Sequence, residues 1–156
     1  MITDSALAFG DALPDGGALL GLDIGTKTIG VATCDAGWRF STPDKTRQRG
    51  KFTVDSTALR ELVANRSIKG VVIGLPLNMD GSEGPRAQAS RAYARNLSQA
   101  LELPVLLWDE RWSTASADHA MIGQDLSRAK RAQKIDSHAA AVILQNAIDT
   151  MAGGAF

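Results

Sequence analysis

The order of elements in this sequence predicts an α/β fold: a single domain with a mixed five-stranded sheet, three antiparallel strands followed by two parallel ones, flanked by helices. Three observations carry that expectation. Residues 18–34 (ALLGLDIGTKTIGVATC) read as two apolar strands around a tight turn. After them, helical patterns alternate with two short all-apolar runs, VVIGL and PVLLW. The chain has 156 residues, 44% of them hydrophobic, enough for one packed core.

Residues 1–17 (MITDSALAFGDALPDGG) have Gly, Pro and Asp interrupting every periodicity, so a flexible N-terminal arm is expected ahead of a domain over 18–151. Ala18–Gly25 and Lys27–Cys34 form a hairpin through the Gly25-Thr26 turn. Trp38–Thr42 is expected as the third antiparallel strand, and Pro43–Lys51, polar and basic, as a loop. Asp55 or Ser56 can cap a helix reaching Arg66, with Leu59, Leu62 and Val63 inward. Val71–Leu75 lacks polar residues on either face, the signature of a strand covered on both sides. Pro76–Pro85 (PLNMDGSEGP) is a polar loop, either an ordinary surface connection or a flap beside a site. Helices are expected over Arg86–Leu101, Ser113–Met121 and Asp136–Met151, with a strand at Pro104–Trp108.

Composition excludes several classes. Lys+Arg and Asp+Glu each count 17, so no overall field points to a polyanion. Asp4, Asp11 and Asp15 stand in a basic-free N-terminus, leaving seventeen basic against fourteen acidic residues in the rest. Basic clusters occur at Lys45, Arg47, Arg49 and Lys51, and at Arg128, Lys130, Arg131 and Lys134. Cys34 stands alone in an apolar strand and is expected as a buried free thiol, which suits a reducing compartment. No apolar run approaches a membrane span, and the N-terminus lacks a signal-peptide pattern, so a cytoplasmic location and no membrane partner are expected.

Three acids stand where acids are costly or catalytically useful. Asp23 lies inside the apolar strand LLGLDI, where an unpaired carboxylate costs several kcal/mol unless a proton, cation or hydrogen bonds satisfy it. Its bland alternative is satisfaction by the backbone of the following turn. Asp109 and Glu110 end the strand PVLLWDE, at the carboxyl end where open α/β sheets place ligands. Alternation sends the two to opposite faces, and spacing does not say which acid faces a site. Asp136 precedes Ala139, Ala140, Ile143 and Ala147 at helical spacing, so it belongs to the apolar stripe; a helix-start cap is its alternative. Carboxylates converging on one sheet edge repel one another and suit Mg²⁺ or Mn²⁺, and two such ions can activate a water and stabilise a leaving oxygen in phosphodiester hydrolysis. No Cys/His set suggests zinc.

LGLDIGTKTIGVA, VVIGLPLNMDGSEGPRA, DERWST and KIDSHAAAVIL, taken together and in this order, resemble the YqgF proteins. That resemblance implies an RNase H-like fold and a nuclease, described for the family as a pre-16S rRNA nuclease or a Holliday junction resolvase. It implies Asp23, Glu110 and Asp136 as the catalytic, metal-binding acids, so it selects Glu110 over Asp109; the oxygen-only donor set itself leads to Mg²⁺ or Mn²⁺ as cofactor, as two ions. The N-terminal arm lies outside the match, and Trp112 stands where a smaller aliphatic residue is expected.

The expected function is therefore metal-dependent endonucleolytic cleavage of structured nucleic acid, RNA or branched DNA. 5′-End processing of pre-16S rRNA is preferred over Holliday junction resolution in recombination and repair. Monomer and homodimer both remain open. Lys27, Arg86, Arg111, Arg128 and Arg131 are candidates for phosphate contacts, each with a solvated-surface or salt-bridge alternative. The solvated face is the commoner explanation for Arg91 and Arg95. His138, two positions after Asp136, and His119 have no catalytic context; Trp108 reads as core. Two other classes compete. One is a non-catalytic nucleic-acid-binding factor. The other is an ATP-binding protein, since D-x-G-T-K resembles the phosphate loop of the actin and sugar-kinase fold. That fold needs two related domains, this chain has room for one, and GLDIGTKT is not a Walker A loop.

Overall fold

The computed structural model describes residues 1–110 and 128–153, with side chains at 1–110 and 137–152. Among these residues a seven-stranded mixed sheet lies between two helical layers. Its strands are β1 (Ile2–Thr3), β2 (Ala18–Ile24), β3 (Thr28–Cys34), β4 (Ser41–Pro43), β5 (Arg47–Gln48), β6 (Ile68–Leu75) and β7 (Val105–Asp109). The helices are α1 (Ala6–Asp11), α2 (Phe52–Arg66), α3 (Pro85–Leu101) and α4 (Arg128–Gly153). Strand order is β1-β7-β6-β2-β3-β4, with β5 also paired to β3. β2, β3 and β4 are antiparallel, and β6 and β7 run parallel to β2, as expected.

Strand alternation sorts the core into two halves. Leu20, Leu22, Ile24, Val71, Ile73, Val105 and Leu107 face α2 and α3, where Leu59, Tyr93, Ala94 and Leu97 meet them. Leu19, Ala32, Cys34, Val72 and Leu106 face α4, against Ala140, Ile143, Leu144, Ala147 and Ile148. The stripe expected on the last helix is the one buried: Ala139, Ala140, Ile143 and Ala147 are at most 1% exposed. α4 can come this close because Gly21 faces it; a Cβ there would lie 2.8 Å from Leu144 Cβ and 3.1 Å from the Ala140 carbonyl oxygen. Ser41 then pins the helix, its Oγ donating to the Ala141 carbonyl at 2.5 Å and its N–H to Gln145 Oε1 at 2.9 Å. Cys34 is a buried thiol, as expected, and burial pushes its pKa up to about 11.

Several expectations are corrected. The first is the N-terminal arm. Residues 2–3 extend the sheet beside β7, pairing Ile2 with Val105 and Thr3 with Leu106, and residues 6–11 form α1 with Phe9 fully buried. Ser5 caps α1, its Oγ accepting from Ala8 N–H at 3.1 Å. The second is the third antiparallel strand, which starts at Ser41 rather than Trp38. Trp38 has φ +56° and donates from Nε1 to the Gly17 carbonyl at 2.7 Å, so the chain turns there. Third, the basic segment 43–51 is not all loop, because β5 within it pairs with β3. Fourth, α2 starts at Phe52. Asp55 does not cap it; its carboxylate reaches back to the Gly50 N–H at 3.1 Å. α4 also begins earlier than expected, at Arg128, and the helix expected at 113–121 lies outside the described residues. The sheet thus has seven strands rather than five, two of them only two residues long.

Candidate active site

The site lies at the carboxyl ends of β2, β6 and β7, on the face covered by α4. Asp23 is the penultimate residue of β2, opposite Gly30 of β3. Its parity is that of Leu19 and Gly21, which places it on the α4 side. The hairpin turn is closed by Gly25 N–H donating to the Thr28 carbonyl at 2.8 Å.

Glu110 follows the last residue of β7. Leu106 and Trp108 belong to the α4-side core, and Glu110 continues their parity, whereas Asp109 shares that of Val105 and Leu107. Geometry therefore resolves which acid of the pair faces Asp23. Gly74 of β6, paired in register with Trp108, makes the space. A Cβ on Gly74 would overlap Glu110 Oε2 outright and lie 2.7 Å from Ile143 Cδ1. The carboxylate thus occupies the volume a side chain at 74 would fill. Nothing in the isolated sequence marked Gly74, because its role depends on a neighbouring strand.

Among the described residues, Glu110 Oε2 is buried and has no hydrogen-bond partner. Burial raises the Glu110 pKa to about 7 from its ordinary 4.5; the negative charges of Asp23 and Asp109 push the same way, and the positive charge of Arg86 opposes them. Two acids sharing one low-dielectric edge, one with an unsatisfied oxygen, form a hard-oxygen donor set that a divalent cation would satisfy. Among the described residues no three His, Cys, Asp or Glu side chains stand together as a metal-holding group. Asp136 is helical, in α4 one turn before Ala139 and Ala140, and its side chain lies outside the described residues.

The basic candidates divide. Lys27 is exposed in the Asp23 turn, and Arg86 is exposed in the first turn of α3 with its charge acting on Glu110. Arg111 lies outside the described residues, as do the side chains of Arg128 and Arg131 in α4. Arg91 is engaged elsewhere, in a bidentate pair with Glu83 at 2.9 and 3.1 Å. That pair ties loop 76–84 to α3, and the loop has its own hydrogen bonds, Asn78 N–H to the Ser82 carbonyl at 2.9 Å and Ser82 N–H to Asp80 Oδ1 at 2.9 Å. One basic residue had been noted only as part of a cluster: Arg49 donates from Nη1 to the Gly25 carbonyl at 2.7 Å, two residues from Asp23.

A protein from Novosphingobium aromaticivorans is 65% identical over 156 residues, covering all of both chains, and one from Sphingopyxis alaskensis is 64% identical over 151 residues, covering 97% of this chain and 99% of its own. Both carry the name "Putative pre-16S rRNA nuclease". Among solved structures, T. thermophilus RuvC in complex with Holliday junction substrate superposes with a TM-score of 0.54 at 10% identity, covering 88% of this chain and 96% of RuvC, which shows a shared RNase H-like fold. Residues 17–150 match the family model described as "RuvX: Holliday junction resolvase", and the chain belongs to that family.

Proposed function

We propose that this chain is a divalent-metal-dependent endonuclease that hydrolyses phosphodiester bonds in structured nucleic acid, acting in 5′-end processing of pre-16S rRNA. The observation that carries the reading is the Glu110 carboxylate, buried beside Asp23 in the slot that Gly74 leaves, with one oxygen unsatisfied among the described residues. A protein does not retain such a group for stability, since a buried carboxylate without a partner opposes folding.

Asp23 and Glu110 would hold Mg²⁺ or Mn²⁺, with Asp136 as the third acid and two ions at full loading. The bound metal supplies a water of lowered pKa and charge stabilisation for the leaving oxygen. The chain's own contribution is placement. β2 and β7 hold the two acids on rigid strand ends, and Gly74 leaves the space that the Glu110 carboxylate occupies. The exposed cations Lys27 and Arg86 offer phosphate contacts at the rim. Names of relatives at 64–65% identity support the rRNA substrate. The family model's description favours a second reading, resolution of four-way DNA junctions.

The test offers purified protein with Mn²⁺ a pre-16S rRNA fragment and a four-way DNA junction side by side. Cleavage of the RNA is expected. Asp23→Asn, Glu110→Gln and Asp136→Asn should each lower it by at least about 100-fold with the fold intact. Full activity of the Asp23→Asn protein would refute the mechanism, and junction cleavage without RNA cleavage would select the second reading. Nucleic-acid binding without cleavage would select a non-catalytic factor.

A further inference from the structure

One side chain of the basic 45–51 cluster is built into the site more firmly than charge alone requires. Arg49 is exposed, yet it is held in three ways. Its backbone N–H donates to the Lys27 carbonyl at 2.8 Å, its Nη1 donates to the Gly25 carbonyl at 2.7 Å, and its guanidinium carbon lies 5.0 Å from the centroid of the Tyr93 ring. Tyr93 is itself fixed, 6% exposed and edge-on to Phe52 at 5.3 Å between ring centroids. The segment carrying Arg49 is clamped at both ends, by pairing of Arg47 and Gln48 with β3 and by the Gly50 N–H bond to the buried Asp55 carboxylate.

An arginine on a surface normally loses rotamer freedom only when it binds something. Here that entropy is lost in advance, through a platform of aromatic rings and a turn carbonyl. The carbonyl belongs to the turn that ends the Asp23 strand, so the guanidinium is fixed relative to the catalytic edge. A guanidinium carries five N–H donors, and the Gly25 carbonyl takes one of them.

We propose that Arg49 is a substrate-positioning residue that binds a backbone phosphate flanking the scissile one. This rests on the nuclease reading above and adds a residue and a side of approach: the strand enters across β5 and the Gly25 turn, on the α3 side of the Asp23 edge. Tyr93 and Phe52 act through Arg49 and do not meet the substrate. Phosphate is shared by RNA and DNA, so both probes serve as separate arms.

The experiment measures binding of a labelled RNA hairpin and a labelled four-way DNA junction by fluorescence anisotropy, in chelator, over a range of KCl concentrations. Arg49→Gln and Arg49→Met should weaken binding by about 10-fold and reduce the slope of log affinity against log salt by roughly 0.7–0.9, the contribution of one phosphate contact. Arg49→Lys keeps the charge and should keep the slope. Arg60→Gln removes an exposed arginine bonded to the Ala100 carbonyl, away from the site, and should match wild type. A purely structural Arg49 would change the melting temperature without moving the salt slope. Arg49→Gln and Arg49→Met proteins that fold and retain the wild-type slope on both probes would overturn the proposal while leaving the nuclease reading intact. Wild-type protein that binds these probes but cleaves neither with Mn²⁺ would overturn the nuclease reading, and with it the assignment of a scissile phosphate.

Discussion

Glu110→Gln separates the energetics of the site from its activity. In the native protein Glu110 keeps its proton up to about pH 7, whereas in the unfolded chain it releases it near the ordinary 4.5. Between those values the native state binds more protons than the unfolded state, so stability falls as pH rises. The stabilising effect of protonation is whole below about 4.5 and lost as pH passes through 7. At about 1.36 kcal/mol per pH unit, the full loss is about 3 kcal/mol, a ceiling because the group is only partly shielded from solvent. Glutamine has the same shape and no titration. The stability difference between Glu110→Gln and wild type should therefore shift in favour of the variant by about 1–3 kcal/mol between pH 4.5 and 8. For a domain of this size that is a relative change in Tm of about 3–10 °C. Thermal melts in chelator at several pH values measure it, and using the difference cancels the titrating groups that do not interact with Glu110. Saturating Mn²⁺ at about 100 times Kd should stabilise wild type by about 2.7 kcal/mol and the variant far less. A difference that stays constant from pH 4.5 to 8 would refute the reasoning.

Other substitutions probe the surroundings. Gly74→Ala fills the Glu110 slot and should both abolish metal-dependent cleavage and cost about 1–3 kcal/mol, read by activity and chemical denaturation together. Unchanged activity would show that Glu110 does not need that slot. Phe9→Ala should cost about 3–5 kcal/mol in urea unfolding, because Phe9 is fully buried between α4 and the sheet; a neutral result would restore the N-terminal arm.

Strong periodicity was legible in the sequence, and local exceptions were not. The β2–β3 hairpin, the buried strands, the helix expected over Arg86–Leu101 and the α4 stripe follow from residue type and spacing. The facing of Glu110 does not, because VLLW is apolar on both faces and carries no phase of its own; phase appears only when Leu106 is seen against α4. β1 and β5 are two residues each, too short for any period, and their pairing rests on backbone bonds that leave no side-chain signal. Phe9 was hidden by its Gly, Pro and Asp neighbours. The α2 start was misplaced because Asp55, a good cap by type, bonds backward to Gly50 instead.

The order in which the sheet is strung has a consequence during synthesis. Reading across it, β1 lies beside β7 and the free edge of the β2–β3 hairpin beside β6, so β1 and that edge wait for much later partners. Asp23 emerges early, Gly74 and Glu110 later, and α4, which covers that face of the sheet, near the end. A nascent chain lacking its last helix leaves that face of the sheet uncovered. On the proposed reading, an enzyme that cuts a ribosomal RNA precursor gains its third acid, Asp136, and the cover of its site only when its own translation is nearly finished.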